Sequence, residues 1–209
     1  MDPRWARPWF AATFVLVVIE LVITCIVAAD NTGGHFHGAG ARVFNVFWYF
    51  TIQSNVIVGV TCLLLALHPH RTSTVFAVFR LIGVVAISVT FVVFHIALSH
   101  LLDLDTWEQI ANQLQHTIVP IVAVAGWLMF GPRGTTSARI ARLTVLFPIL
   151  YMIATAIRGP LVRDWYPYPF ADVAAHGYVR VALNGILITL FFWAIAAGAV
   201  WVDRRLPER

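Results

Sequence analysis

Six apolar stretches dominate this chain, at about residues 9–29, 44–67, 75–98, 110–130, 140–158 and 179–202. Each holds roughly 20 residues, the length a helix needs to cross some 30 Å of hydrocarbon at 1.5 Å per residue. A soluble domain carries about 25% charged residues; here the charged share is 11% and the hydrophobic share 60% of 209 residues. So much apolar surface exceeds what one water-soluble core can hide. The expected fold is all-α, a single polytopic bundle over 1–209 with six transmembrane helices. The separators read as loops: Asp30 to Gly34, His68-Pro69-His70, Gly131 to Gly134, and Arg158 to Gly177. Arg4 and Arg7 ahead of an apolar run ending Val27-Ala28-Ala29 mimic a secretory signal. The run is long for a signal core and Glu20 interrupts it, so a retained first helix is expected.

All fourteen basic residues are arginine, a bias that fits GC-rich codons and a bacterial source. A pI of 9.6 would suit nucleic acid. The arginines lie at helix ends instead of forming a basic run, so membrane topology explains them and no nucleic-acid partner is expected. One side receives Arg4, Arg7, Arg71, Arg80, Arg133, Arg139, Arg142, Arg204, Arg205 and Arg209. The other receives Arg42, Arg158, Arg163 and Arg180 with Asp30, Asp103, Asp105 and Glu108. This imbalance puts both termini in the cytoplasm of a multi-pass protein of the bacterial plasma membrane. Cys25 and Cys62 fall at different depths, which argues against a disulfide.

Polar groups at membrane depth are costly and normally face protein or a wet cavity. Counted along the apolar runs, Thr51 lies about seven residues below the outer end of the second helix and His116 about six below that of the fourth, each roughly 10 Å deep. Glu20, His95 and Asn184 also fall in the outer half. Thr51, Ser54 and Asn55 stand at i, i+3 and i+4 on one helix face, and Asn112, Gln115 and His116 repeat the spacing. The two triads either line one outward-opening pocket or hydrogen-bond the helices together. Pro120 lacks the N–H that would bond the carbonyl of His116, so the helix should loosen there. Pro148 should kink the fifth helix. The loop Arg163-Asp164-Trp165-Tyr166-Pro167-Tyr168-Pro169-Phe170 is either an interfacial aromatic belt or a lid, with Arg158 and Tyr166 beside an anionic head group.

A threonine hydroxyl becomes a nucleophile when a neighbouring histidine takes its proton. Thr51 and His116 are the candidate pair, with Asn55, Asn112 or freed backbone as oxyanion donors. No G-x-S-x-G, H-E-x-x-H, glycine-rich phosphate loop or Cys-x-x-Cys occurs. The pairs His35/His37 and His68/His70 read as solvated loop residues, and no metal or other cofactor is expected.

The run Phe47-Trp48-Tyr49-Phe50-Thr51-Ile52-Gln53-Ser54-Asn55 resembles the second-helix motif of bacterial six-helix membrane proteins related to the androgen-induced and androgen-dependent TFPI-regulating proteins of animals. The stretch Asn112 to Pro120 is similar to that family's fourth-helix motif, and Tyr166 to Phe170 looks like the bacterial branch. The animal members are transmembrane threonine hydrolases of fatty acid esters of hydroxy fatty acids. By resemblance Thr51 and His116 take the places of their nucleophile and base, and the partners are membrane lipids and a lipid-ester substrate. Gln53-Ser54-Asn55 follows the bacterial pattern, and Gln113 stands where animal relatives carry a second histidine. Two non-enzymatic readings compete: a haem protein with His95 and His116 as axial ligands, or a transporter with Glu20 as a proton-linked carboxylate.

Overall fold

The computed structural model describes residues 3–71, 73–101 and 104–206; Asp103 and Arg209, counted above for topology, lie outside them. Among the described residues the chain is helical, with no strand. Its helices are α1 (Ala6–Asp30), α2 (Ala39–Val46), α3 (Phe50–Leu67), α4 (Thr74–Val93), α5 (Thr106–Gln113), α6 (Val119–Phe130), α7 (Ala138–Thr144), α8 (Leu146–Leu161) and α9 (Val173–Asp203). Joined end to end where they continue one another, they form six spans long and apolar enough to cross a bilayer: Ala6–Asp30, Phe50–Leu67, Thr74–Leu101, Thr106–Phe130, Ala138–Leu161 and Val173–Asp203. Leu150, Ile153 and Ile157 on α8 and Leu183, Leu187 and Leu190 on α9 are exposed. Such bands on spanning helices face lipid. The chain is a multi-pass membrane protein.

Packing follows side-chain size. α4 is the central helix, touching α3, α6, α7 and α9. Its Leu81, Val84, Val85, Ala86 and Val89 join Phe192 and Ala196 of α9 in one apolar core. A second core joins Phe10 and Val17 of α1 to Val58, Cys62 and Leu65 of α3 and Val119 and Ala123 of α6. Glycine sets the closest approaches. A Cβ on Gly59 would meet Val17, and one on Gly126 would meet the Trp9 indole, whose N–H donates to the Val122 carbonyl at 3.1 Å. Cys25 and Cys62 are both free.

Several helix ends are closed by polar residues of neighbouring helices and loops. Arg7 donates to the carbonyls of Ala66 and Leu67 at 3.0 Å each, covering the C-terminus of α3. Arg42 donates to the carbonyls of Ala28 and Ala29 at 3.0 and 2.5 Å, covering that of α1. Both put a cation at the negative end of a helix dipole. Asp105 and Glu108 form a capping box at the start of α5. Asp203 accepts from the backbone N–H and hydroxyl of Thr136, tying the end of α9 to the loop before α7.

Two sequence boundaries moved. The apolar run expected as one helix over 44–67 is split: α2 stops at Val46, Phe47 to Tyr49 turn, and α3 starts at Phe50. The last span begins at Val173, but Gly177 breaks it with φ 73°, a left-handed value that glycine tolerates. Both proline expectations are met. A π-helical turn over Leu114–Ile118 precedes α6, whose first turn holds Pro120. The fifth span breaks at Val145, between α7 and α8, where Pro148 cannot donate to Thr144.

Candidate functional site

Thr51 is the second residue of α3, so its backbone N–H is one of the unpaired donors at a helix N-terminus. Its side chain is 6% exposed. The π turn after α5 swings His116 towards it, and Oγ1 of Thr51 lies 3.2 Å from Nε2 of His116. Nδ1 of His116 is 3.1 Å from the Asn112 carbonyl oxygen. A carbonyl only accepts, so Nδ1 carries the proton and Nε2 is the acceptor. The Thr51 hydroxyl therefore donates to Nε2. Phe94 stacks on the imidazole, 3.9 Å between ring centres at 21°, and fixes its plane.

Tyr168 completes the arrangement. Its hydroxyl accepts the Thr51 N–H at 3.2 Å and stands 3.3 Å from Oγ1 of Thr51. Because Oγ1 has given its proton to His116, Tyr168 is the donor in that second contact. Burial pushes the Tyr168 hydroxyl above the usual phenol value, so it keeps its proton near neutrality. The chain Tyr168 O–H to Thr51 O–H to His116 to the Asn112 carbonyl runs in one direction. A group at Thr51 thus meets a base on one side and Tyr168 on the other, where Thr51 N–H and Tyr168 O–H are engaged with one another's residue.

Two cavities meet here. A narrow, part-open slot runs between α4 and α8 and is lined by Val89, Val93, Tyr151, Met152, Phe170 and Ile188 among others. A wider one, also part-open, is lined by Thr24 and Ala28 of α1, Asn31 just beyond it, Tyr49, Gln115, His116, Pro167 and Pro169 among others. Thr51, Phe94, Leu98 and Tyr168 belong to both walls.

The other residues singled out in the sequence do different work. Ser54 donates to the Thr51 carbonyl at 2.8 Å and meets the Thr90 hydroxyl at 3.1 Å. Asn55 donates to the same carbonyl at 2.9 Å and to that of Gln115 at 3.4 Å. Both are fully buried behind Thr51 and line neither cavity, so the pocket-lining expectation is corrected for them. The amide of Asn55 is spent on carbonyls, and Asn112 contributes its backbone oxygen; neither supplies the expected oxyanion donor. Gln115 bonds Thr24 across to α1.

Asn184 donates to the Phe170 carbonyl at 2.8 Å and holds the loop from below. Arg158 bonds Asn45 at 2.9 Å, with its guanidinium over Trp48 at 4.4 Å and Trp165 at 5.2 Å from the ring centres. It braces the loop and lines neither cavity. Tyr166 covers Gly159, where a Cβ would collide with its ring. Of the two tyrosines in the Tyr-Pro-Tyr-Pro stretch, Tyr168 therefore reaches the site and Tyr166 anchors the loop. The repeat itself carried no signal to separate them; the small residue at 159 was the one clue. Pro167, Tyr168 and Pro169 put the loop in the wall of the wide cavity.

His95 is exposed and bonded elsewhere: Nδ1 to the Phe91 carbonyl at 2.8 Å and Nε2 to the Thr117 hydroxyl at 3.3 Å. The nitrogens that a haem iron would need on His95 and His116 are both engaged, and Phe94 lies against both rings. Glu20 is fully buried and outside both cavity linings. The described residues contain no group of three or more His, Cys, Asp or Glu able to hold a metal. Compared with known proteins, the chain matches no family model, no curated protein and no solved structure.

Proposed function

We propose that this protein is an intramembrane hydrolase of lipid esters, with Thr51 as nucleophile and His116 as general base. One observation carries the reading: a threonine hydroxyl aimed at an acceptor imidazole nitrogen 3.2 Å away, at the junction of two cavities. His116 takes the Thr51 proton as Oγ1 bonds to the ester carbonyl carbon. As Oγ1 is acylated, Tyr168 O–H and Thr51 N–H exchange their contacts with each other's residue for the resulting oxyanion, at the positive end of the α3 dipole. The bond to the alcohol oxygen breaks and that oxygen leaves with the proton from His116. Water, deprotonated by the same imidazole, then cleaves the acyl-threonine ester. No metal or cofactor enters these steps.

The arginine distribution supports a bacterial plasma membrane location with both termini cytoplasmic and the wide cavity opening outward. The motif resemblance around Thr51 and His116 supports esters of fatty acids as the substrate class, fatty acid esters of hydroxy fatty acids among them. An alkyl fluorophosphonate tests the nucleophile. Purified protein in detergent should be labelled on Thr51, and Thr51→Ala should abolish the label. His116→Ala should slow labelling and ester hydrolysis by about 10²- to 10⁴-fold, the usual worth of a general base. Labelling that persists in Thr51→Ala would sink the proposal.

A further inference from the structure

The two cavities differ in chemistry and only one of them touches the base. His116 lines the wide cavity and is absent from the wall of the narrow one. In ester cleavage the departing alcohol oxygen must collect a proton, and the group placed to return one is the imidazole that has just deprotonated Thr51, because burial makes the Tyr168 phenol hold its own. The alcohol half must therefore leave on the side of His116. We infer a fixed substrate orientation: the acyl chain lies in the narrow slot between α4 and α8, and the alcohol half lies in the wide cavity. The inference rests on the hydrolase reading above.

The linings agree with this assignment. Hydroxyls at the slot already have partners: Thr90 meets Ser54 at 3.1 Å, Tyr151 donates to the Trp48 carbonyl at 3.0 Å, and Tyr168 is held at Thr51. The remaining wall is hydrocarbon, aromatic or thioether, with Val89, Val93, Met152, Phe170 and Ile188. A polar substituent on the chain would be buried there without a hydrogen-bond partner, a cost that excludes it. The slot accordingly takes an unsubstituted acyl chain. The wide cavity presents Thr24, Asn31, Tyr49 and Gln115, so any polar group on the substrate belongs to its alcohol half. Departure of that half empties the space beside His116, where the hydrolytic water must stand, while the acyl chain stays tethered to Thr51 in the slot. The order of release is alcohol first, acid second.

Two bulky substitutions, one in each cavity, separate this from the opposite orientation. Ile188→Phe narrows the slot alone and Ala28→Phe narrows the wide cavity alone. Hydrolysis would be followed by mass spectrometry for ethyl acetate, ethyl dodecanoate and dodecyl acetate in detergent. Ratios between esters cancel any loss of folded protein. Ile188→Phe should lower the dodecanoate-to-acetate ratio of the ethyl esters about tenfold or more, a loss within the range for one misfitting apolar group. Its dodecyl-to-ethyl ratio for the acetates should move by less than about twofold. Ala28→Phe should give the converse pattern. The opposite pairing, or equal effects of both variants on both ratios, overturns the orientation while leaving Thr51-dependent hydrolysis in place. If the parent protein hydrolyses none of the esters in a Thr51-dependent way, the hydrolase reading itself falls and takes the orientation with it.

Discussion

At the scale of single residues, the site is a matter of which lone pair is left over. The Asn112 carbonyl settles the imidazole tautomer, the tautomer settles the direction of the Thr51 hydroxyl, and that direction makes Tyr168 a donor. Tyr168→Phe keeps the ring contacts with Tyr49 and Phe170 and removes only the hydroxyl. For a transition-state donor the expected result is a kcat lowered by about 10²- to 10³-fold with KM changed little. A hydroxyl acting only as packing would leave kcat within about twofold of the parent value. Thr51 and His116 were legible as a pair from chemistry and helix spacing. Tyr168 was not, because nothing in an alternating Tyr-Pro stretch states which ring turns inward.

Among the elements, the π turn over Leu114–Ile118 is the one that aims the base. Its cause is local: Pro120 has no N–H for the His116 carbonyl, and the turn absorbs an extra residue. Pro120→Ala restores the donor and permits regular α geometry, which would rotate His116 relative to α6 by roughly 100°, one residue's worth of helix. The variant should fold, with thermal stability equal to or above the parent, yet lose about tenfold or more of its fluorophosphonate labelling rate. Undiminished labelling would show that the proline break is incidental to the site. Ser54 and Asn55 form a buried seam behind Thr51 while Gln115 and His116 stand in the wall of the wide cavity, a division that the i, i+3, i+4 spacing allowed and could not predict. Depth counting erred in its numbers for a related reason. Thr51 is in the first turn of α3, because the run over 44–67 contains a separate short helix and a turn. His116 sits ten residues past the start of the Thr106 span, about 15 Å along it. They meet because α1 packs against both α3 and the π turn that carries His116.

For the whole molecule, orientation in the membrane is the open quantity with the simplest test. Arginine asymmetry predicts cytoplasmic termini and outward-facing loops at His37 and Asp164. Single cysteines at Arg205 and at His37, in a chain whose Cys25 and Cys62 are replaced by alanine, should react differently with an impermeant maleimide on intact cells. The His37 position should label and the Arg205 position should label only after permeabilisation. Labelling of Arg205→Cys in intact cells would invert the topology and turn the wide cavity inward.

The number of spans, the all-α class and the breaks at Pro120 and Pro148 followed from sequence alone. Each is set by a local rule: hydrocarbon thickness fixes run length, and a missing N–H fixes a broken turn. Tertiary structure decided the rest. It put Ser54 and Asn55 behind the nucleophile, brought Tyr168 over it, and divided the space around Thr51 into two chambers with the base on one side. Those outcomes depend on which faces of α1, α3, α4 and α8 pack together and on a loop held by Gly159, Arg158 and Asn184. The contacts of Tyr168 with Thr51 and of Arg158 with Asn45 join residues more than a hundred positions apart, where helical periodicity carries no information.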